Sequence, residues 1–177
     1  MTQKSGRPIS AAARRKSSAR LAAVQALYQI DLAGATPDQV LNDFLQHGIA
    51  ANALRSETNE YDQEREIETP LVTPDGELLA GIVRGTLARR DAVDEMIAGA
   101  LSKDWSMERL EAVLRAILRA GAFELSTRTD IPPKVTISEF VDVAHAFYTG
   151  TEPKLVNAVL DRIARVVRAE DLKGREE

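Results

Sequence analysis

A chain of 177 residues and 19.4 kDa holds one domain or two small ones, and at this size folding buries roughly 70% of the unfolded surface. With 44% apolar and 28% charged residues and no cysteine, wholesale disorder, collagen-like repeats, disulfides, thiolate metal sites and a cysteine nucleophile are all excluded, and a reducing compartment is expected. The net charge of -4 hides a polarity: residues 1–30 carry +6 from Lys4, Arg7, Arg14, Arg15, Lys16 and Arg20, residues 31–80 carry -9, and residues 81–177 carry -1.

Apolar spacing is helical from Leu21 onward, through Val24, Leu27, Tyr28 and Leu32 to a stop at Gly34. Thr36-Pro37-Asp38 supplies an N-cap and a first-turn proline for a second helix with the stripe Val40, Leu41, Phe44 and Leu45, ending near Gly48. Residues 55–70 carry eight charged groups without a sustained period, which reads as a solvated loop or frayed helix. Thr73-Pro74-Asp75 repeats the start signal, and a stripe from Leu78 to Leu101 follows, with a break expected near Arg90. Gly81 and Gly85, four apart, leave room for a close helix neighbour. Ser106 is the expected cap of the next helix, which presents Leu110, Val113, Leu114, Ile117, Leu118 and Leu125 and ends before Thr129. Pro132-Pro133 forces an extended entry to a helix from Val135 through Tyr148. A last helix runs from Glu152-Pro153 through Val166 and Val167 into a charged tail. No stretch has the alternation of a sheet, so the fold class is all-α.

The longest uncharged run, residues 44–54, is too short to span a bilayer. The basic start followed by Leu21–Ile30 imitates a signal peptide or presequence, but Gln25, Tyr28, Gln29 and Asp31 interrupt it. His47 and His145 stand far apart with no HExxH, and no phosphate loop or nucleophile elbow is present. These features argue against metal sites, cofactors and an enzyme.

The basic leader is the informative feature. Cations at a helix N-terminus oppose the helix dipole, whereas phosphates would be bound by arginine forks there. Arg14, Arg15, Lys16 and Arg20 are thus candidates for gripping a nucleic-acid backbone, and four such charges on single-stranded RNA give a log–log salt slope near -3, an order-of-magnitude figure. Tyr28 is either a core residue or a ring on which a base stacks. Trp105 reads as a packing anchor. Arg119, Lys154 and Asn157 lie on or beside apolar stripes, where a capped turn or solvated face is the ordinary reading.

Several segments in order resemble one family, the NusB transcription antitermination factors, across roughly residues 14–168: the basic leader with Ala19-Arg20 and Ala23-Val24-Gln25-Ala26-Leu27-Tyr28; Leu78-Leu79-Ala80-Gly81; Leu118-Arg119 with Phe123-Glu124-Leu125; Asp130-Ile131-Pro132 with Lys134-Val135; and Lys154-Leu155-Val156-Asn157 with Val159-Leu160-Asp161. The resemblance implies two packed three-helix bundles and a non-enzymatic cytoplasmic factor. Such a factor binds boxA-type RNA of ribosomal RNA leaders with a small-subunit ribosomal protein, NusE, and works with other Nus factors and RNA polymerase; some members form homodimers. Carried over by motif, the RNA-binding residues are Arg14, Arg15, Lys16, Arg20, Gln25, Tyr28, Arg119, Lys154 and Asn157, with no metal or cofactor. The chain departs from the family at Ile137-Ser138-Glu139-Phe140 and at Leu155-Val156-Asn157-Ala158, and its acidic stretch at residues 55–68 is longer than usual.

The expected layout is a flexible basic arm at residues 1–17, one helical domain at 18–170 and a charged tail at 171–177. Two other readings compete. One is a helical protein–protein adaptor with a merely solvated arm. The other is an RNA-recognition domain related to rRNA cytosine methyltransferases, for which a chain ending at Glu177 leaves no room for a cofactor-binding domain.

Overall fold

The computed structural model describes residues 8–47 and 72–173, so the acidic stretch lies outside the described residues. Among them the regular elements are α1 (Ala11–Ala33), α2 (Pro37–His47), α3 (Gly76–Ala88), α4 (Arg90–Ala100), a 3-10 turn (Met107–Arg109), α5 (Ala112–Thr127), α6 (Pro133–Phe147), α7 (Glu152–Val167) and α8 (Ala169–Lys173). α1 packs on α2 and α3, while α5, α6 and α7 pack on one another. The two groups meet chiefly where α1 lies on α5, and α4 rests on α5 and α7. This is the expected all-α pair of three-helix bundles.

α1 starts well before the apolar stripe. Ser10 is extended and its hydroxyl accepts from Ala13 N–H at 3.1 Å, and the three alanines that follow favour helix. Arg14, Arg15 and Lys16 therefore belong to an ordered helix, which corrects the expectation of a flexible arm up to residue 17. Tertiary bonds hold these turns: the Ser18 hydroxyl donates to Val72 C=O at 2.9 Å, and Asp75 N–H donates to Arg15 C=O at 3.0 Å. Further along, residues 22–27 are buried on every side. Alanine at 22, 23 and 26 keeps α1 thin enough to be surrounded. Gly34 closes the helix at φ 63°, its N–H donating to Ile30 C=O at 3.2 Å, a left-handed cap that favours glycine.

Two helix starts differ from the sequence expectation, and one expected break is found. Asp75, not Thr73, caps α3, accepting from Leu78 N–H at 3.0 Å. The long stripe does break, at Arg89, into α3 and α4. Ser106 makes no side-chain cap bond, because a 3-10 turn intervenes and α5 begins at Ala112. On α7 the expected stripe overruns: it is buried through Ile163 and Ala164, whereas Val166 is 81% exposed. Trp105 is 45% exposed, less of an anchor than its size suggests.

The core contains Phe44, Leu79, Ile82, Ile97, Ile117, Leu118, Leu125, Phe140 and Leu160, all essentially inaccessible. Each contributes about 1.5–3 kcal/mol by burial. Two buried arginines accompany them. Arg20 Nε and Nη2 fork onto Glu124 at 2.6–3.1 Å, and the Thr136 hydroxyl donates to the same carboxylate at 3.3 Å. Burial alone would lower the Arg20 pKa, but the Glu124 hydrogen bonds and charge outweigh it and the net direction is upward. Arg168, at the end of α7, donates to the carbonyls of Arg128, Thr129 and Ile131 at 3.1–3.2 Å and pairs with Asp171. It thereby satisfies backbone acceptors in the α5–α6 connection that no helix supplies.

Removing one partner of the Arg20–Glu124 pair leaves a buried charge uncompensated. Glu124→Ala is expected to lower stability by about 3–5 kcal/mol in urea unfolding, and Arg20→Met combined with Glu124→Leu to recover most of that loss. The two α3 glycines separate cleanly. A methyl at Gly85 would fall within the Phe123 ring of α5, whereas Gly81 has nothing within 4 Å of such a methyl. Gly85→Ala is expected to destabilise by about 1–3 kcal/mol, and Gly81→Ala to stabilise by about 0.5–1 kcal/mol, both read from thermal or urea midpoints.

Candidate nucleic-acid interface

The ordered start of α1 presents Arg14, Arg15 and Lys16 as exposed cations. Among the described residues none forms an ion pair. Arg15 makes one long bond, Nε to Thr73 C=O at 3.4 Å. Spacings of three, four and seven place Arg14, Ser17, Leu21 and Tyr28 along one stripe of the helix. Arg14 and Tyr28, fourteen residues apart, are thus separated by about 21 Å along its axis. Ser17, Leu21 and Tyr28 are half-buried. Tyr28 packs against the core without being enclosed by it and stays partly accessible.

Arg20 is not on this surface. It lies one heptad before Leu27, hence on the inward face, and it is 3% exposed with its guanidinium committed to Glu124 and, at 3.4 Å, to Glu139. This corrects its assignment as a phosphate clamp: its role is to hold α1 to α5 and α6. Gln25 is likewise buried inside α1, at 6% exposure, where no polymer reaches it. The sequence signal was present in both cases, since residues 19–27 are mostly small or apolar on all faces.

Arg119 occupies a middle position. Its Nε and Nη2 donate to Asp94 at 2.7 and 3.0 Å, and Nη1 lies 3.6 Å from Asp31. Asp31 also takes Arg90 at 2.8 Å and Arg115 at 3.6 Å. Three guanidiniums around two carboxylates leave a positive surplus, one helical turn from Tyr28. The hub ties α1 to α4 and α5 at the end of α1 opposite the Arg14–Lys16 cluster. Lys154 and Asn157 are exposed, one turn apart on α7, which packs on α5 and α6. They belong to the other bundle, and no described hydrogen bond joins them to α1.

Two features of this face were not singled out in the sequence. The Arg128 guanidinium forks onto Asp130 at 2.9 and 3.0 Å and, with Lys16 adding to the field, holds that carboxyl down at about 2. Lys16 and Arg128 line one shallow groove with Asp75 and Glu77. Glu139 of α6 accepts from the Ser17 hydroxyl at 2.8 Å, which brings a carboxylate to the edge of the basic stripe. Arg128 and Asp130 stand two residues apart and pair within their own turn, whereas the Ser17–Glu139 contact has no local signature and depends on α1 crossing α6. Among the described residues no cluster of three or more metal-ligating side chains occurs, and no helix is long and apolar enough to cross a membrane.

Residues 17–165 match the NusB family. The transcription antitermination protein NusB of Rhodospirillum rubrum is 49% identical over 176 residues, covering 97% of this chain and 92% of that protein. Its counterpart in Allorhizobium ampelinum is 42% identical, covering 98% and 100%. Among solved structures, NusB of T. maritima superposes with a TM-score of 0.67 at 29% identity, covering 89% of this chain and 96% of that one. A structure described as antitermination factors NusB and NusE in complex with dsRNA shares the fold, with a TM-score of 0.64 at 22% identity over 86% and 98%. With the family matched over most of its length and relatives of this identity, the chain belongs to the NusB family of transcription antitermination factors, which are not enzymes.

Proposed function

We propose that this antitermination factor grips boxA-type RNA of ribosomal RNA leaders along α1, beside a small-subunit ribosomal protein of the NusE kind. In this reading it acts in the cytoplasm within a complex that includes other Nus factors and RNA polymerase. The observation that carries the reading is the ordered, exposed Arg14–Arg15–Lys16 cluster on the same helix as an accessible Tyr28. These cations sit at the positive end of the α1 dipole without carboxylate partners among the described residues, an arrangement that a phosphate backbone would relieve. Tyr28 offers a face for a base and Arg119 a partly satisfied guanidinium one turn beyond it. Lys154 and Asn157, exposed on α7, extend the reading to the second bundle. That a fold neighbour is described with NusE and dsRNA supports both partner classes.

The burial of Arg20 changes the expected electrostatics. Three phosphate contacts on single-stranded RNA give a log–log salt slope of about -2, and neutralising any one of Arg14, Arg15 or Lys16 should flatten it by about 0.7. Fluorescence titration of a boxA-like RNA at several salt concentrations, with and without NusE, measures this. A flat response that is unchanged on deleting residues 1–18 would favour the adaptor reading instead. Tyr28→Ala is expected to weaken binding by about 1–3 kcal/mol, and Tyr28→Phe to leave it nearly unaltered, in the same titration.

A further inference from the structure

We infer that Glu139 reads a base on the α1 face, one fixed carboxylate oxygen accepting a hydrogen bond from the exocyclic amino group of a nucleobase. The inference rests on the RNA-binding reading and adds to it a residue that distinguishes amino-bearing bases from uracil at one position.

The two oxygens of Glu139 have different surroundings. Oε2 accepts from the Ser17 hydroxyl at 2.8 Å and faces Arg20 Nη1 at 3.4 Å. Oε1 has no partner among the described residues. The side chain is 26% exposed, so this second oxygen is reachable from solvent while the first is pinned. Ser17 lies one turn from Arg14 and one from Leu21 on the stripe that leads to Tyr28, which puts the free acceptor at the edge of the track proposed for the RNA.

Charge explains why a base and not a phosphate belongs there. Arg20 is already neutralised by Glu124, which is wholly buried and holds it by three contacts. Glu139 therefore brings the trio to a net negative charge next to a surface whose other function is to attract an anion. A phosphate would be repelled from this spot, whereas an amino group of cytosine, adenine or guanine presents a donor to it, the pairing by which carboxylates recognise cytosine N4. Pinning by Ser17 and Arg20 fixes the acceptor before binding, so little ordering accompanies the contact.

The anchoring also dictates what Glu139→Gln does. Ser17 and Arg20 are both donors, so the amide oxygen must take the pinned position. The NH2 group then points outward and replaces an acceptor with a donor. The test is a fluorescence titration of a boxA-like RNA in which each amino-bearing nucleoside is replaced singly by its deamino analogue: inosine for guanosine, nebularine for adenosine, zebularine for cytidine. In the wild-type chain one replacement should lower affinity roughly tenfold. In Glu139→Gln that position-specific loss should vanish or reverse. Ser17→Ala keeps the charge and loosens the anchor, so it should shrink the loss at the same position; this variant decides the matter if Glu139→Gln does not fold by thermal unfolding. Identical replacement profiles in wild type and variants, or a uniform weakening across all RNAs as a merely structural Glu139 would give, overturns the inference and leaves the RNA-binding reading standing. Failure of the wild type to bind any RNA, with or without NusE, overturns both.

Discussion

The pairing of Arg20 with Glu124 is the contact on which the arrangement of the two bundles turns. It joins α1 to α5 at the place where the helical groups meet, and Thr136 and Glu139 bring α6 into the same network. A buried guanidinium must have its carboxylate in a fork geometry, because burial otherwise disfavours the charge strongly. That requirement sets the rotation of α1 about its axis. Apolar contacts alone would tolerate a wider range, since the buried part of α1 is largely alanine and presents little relief to its neighbours.

Rotation of α1 in turn decides which cations face solvent. With Arg20 inward, Arg14 and the Ser17–Leu21–Tyr28 stripe are left along the open side, and Arg15 and Ser18 meet the segment leading into α3. One helix is thus both a central element of the core, between residues 22 and 27, and the presenting surface at its two ends. The same logic operates at its far end. Asp31 gathers arginines from α4 and α5, fixing the second end of α1 against the other helices and leaving Tyr28 between two anchored regions. A binding surface on a helix held at both ends loses little freedom on meeting a ligand, which is how a modest number of contacts can suffice.

Arg168 plays the matching part in the second bundle. By donating to carbonyls in the 128–131 connection it holds the α5–α6 turn onto the end of α7. Arg128 and Asp130 occupy that same turn, so the groove beside Lys16 has a fixed shape although half of its lining comes from outside the helices. Buried arginines therefore act in both bundles as backbone and carboxylate ties, and the exposed ones as the surface charge.

Much of this was legible without coordinates. Apolar periods of three and four located every long helix among the described residues, because outside the fully buried middle of α1 each buries one face and leaves the others polar. Gly34 and the proline pair marked ends for local steric reasons, and the motif order marked the family. What periodicity could not locate were features with no apolar signature: the alanine-rich first turns of α1, the Asp75 cap and the 3-10 turn before α5. The fate of individual charges was beyond it as well. Arg14 and Arg20 are the same residue type six positions apart, yet one meets water and the other a carboxylate more than a hundred residues away. A charge is placed by the long-range partner that stabilises it, and only the packing of α1 across α5 and α6 supplies Glu124 to Arg20 and Glu139 to Ser17.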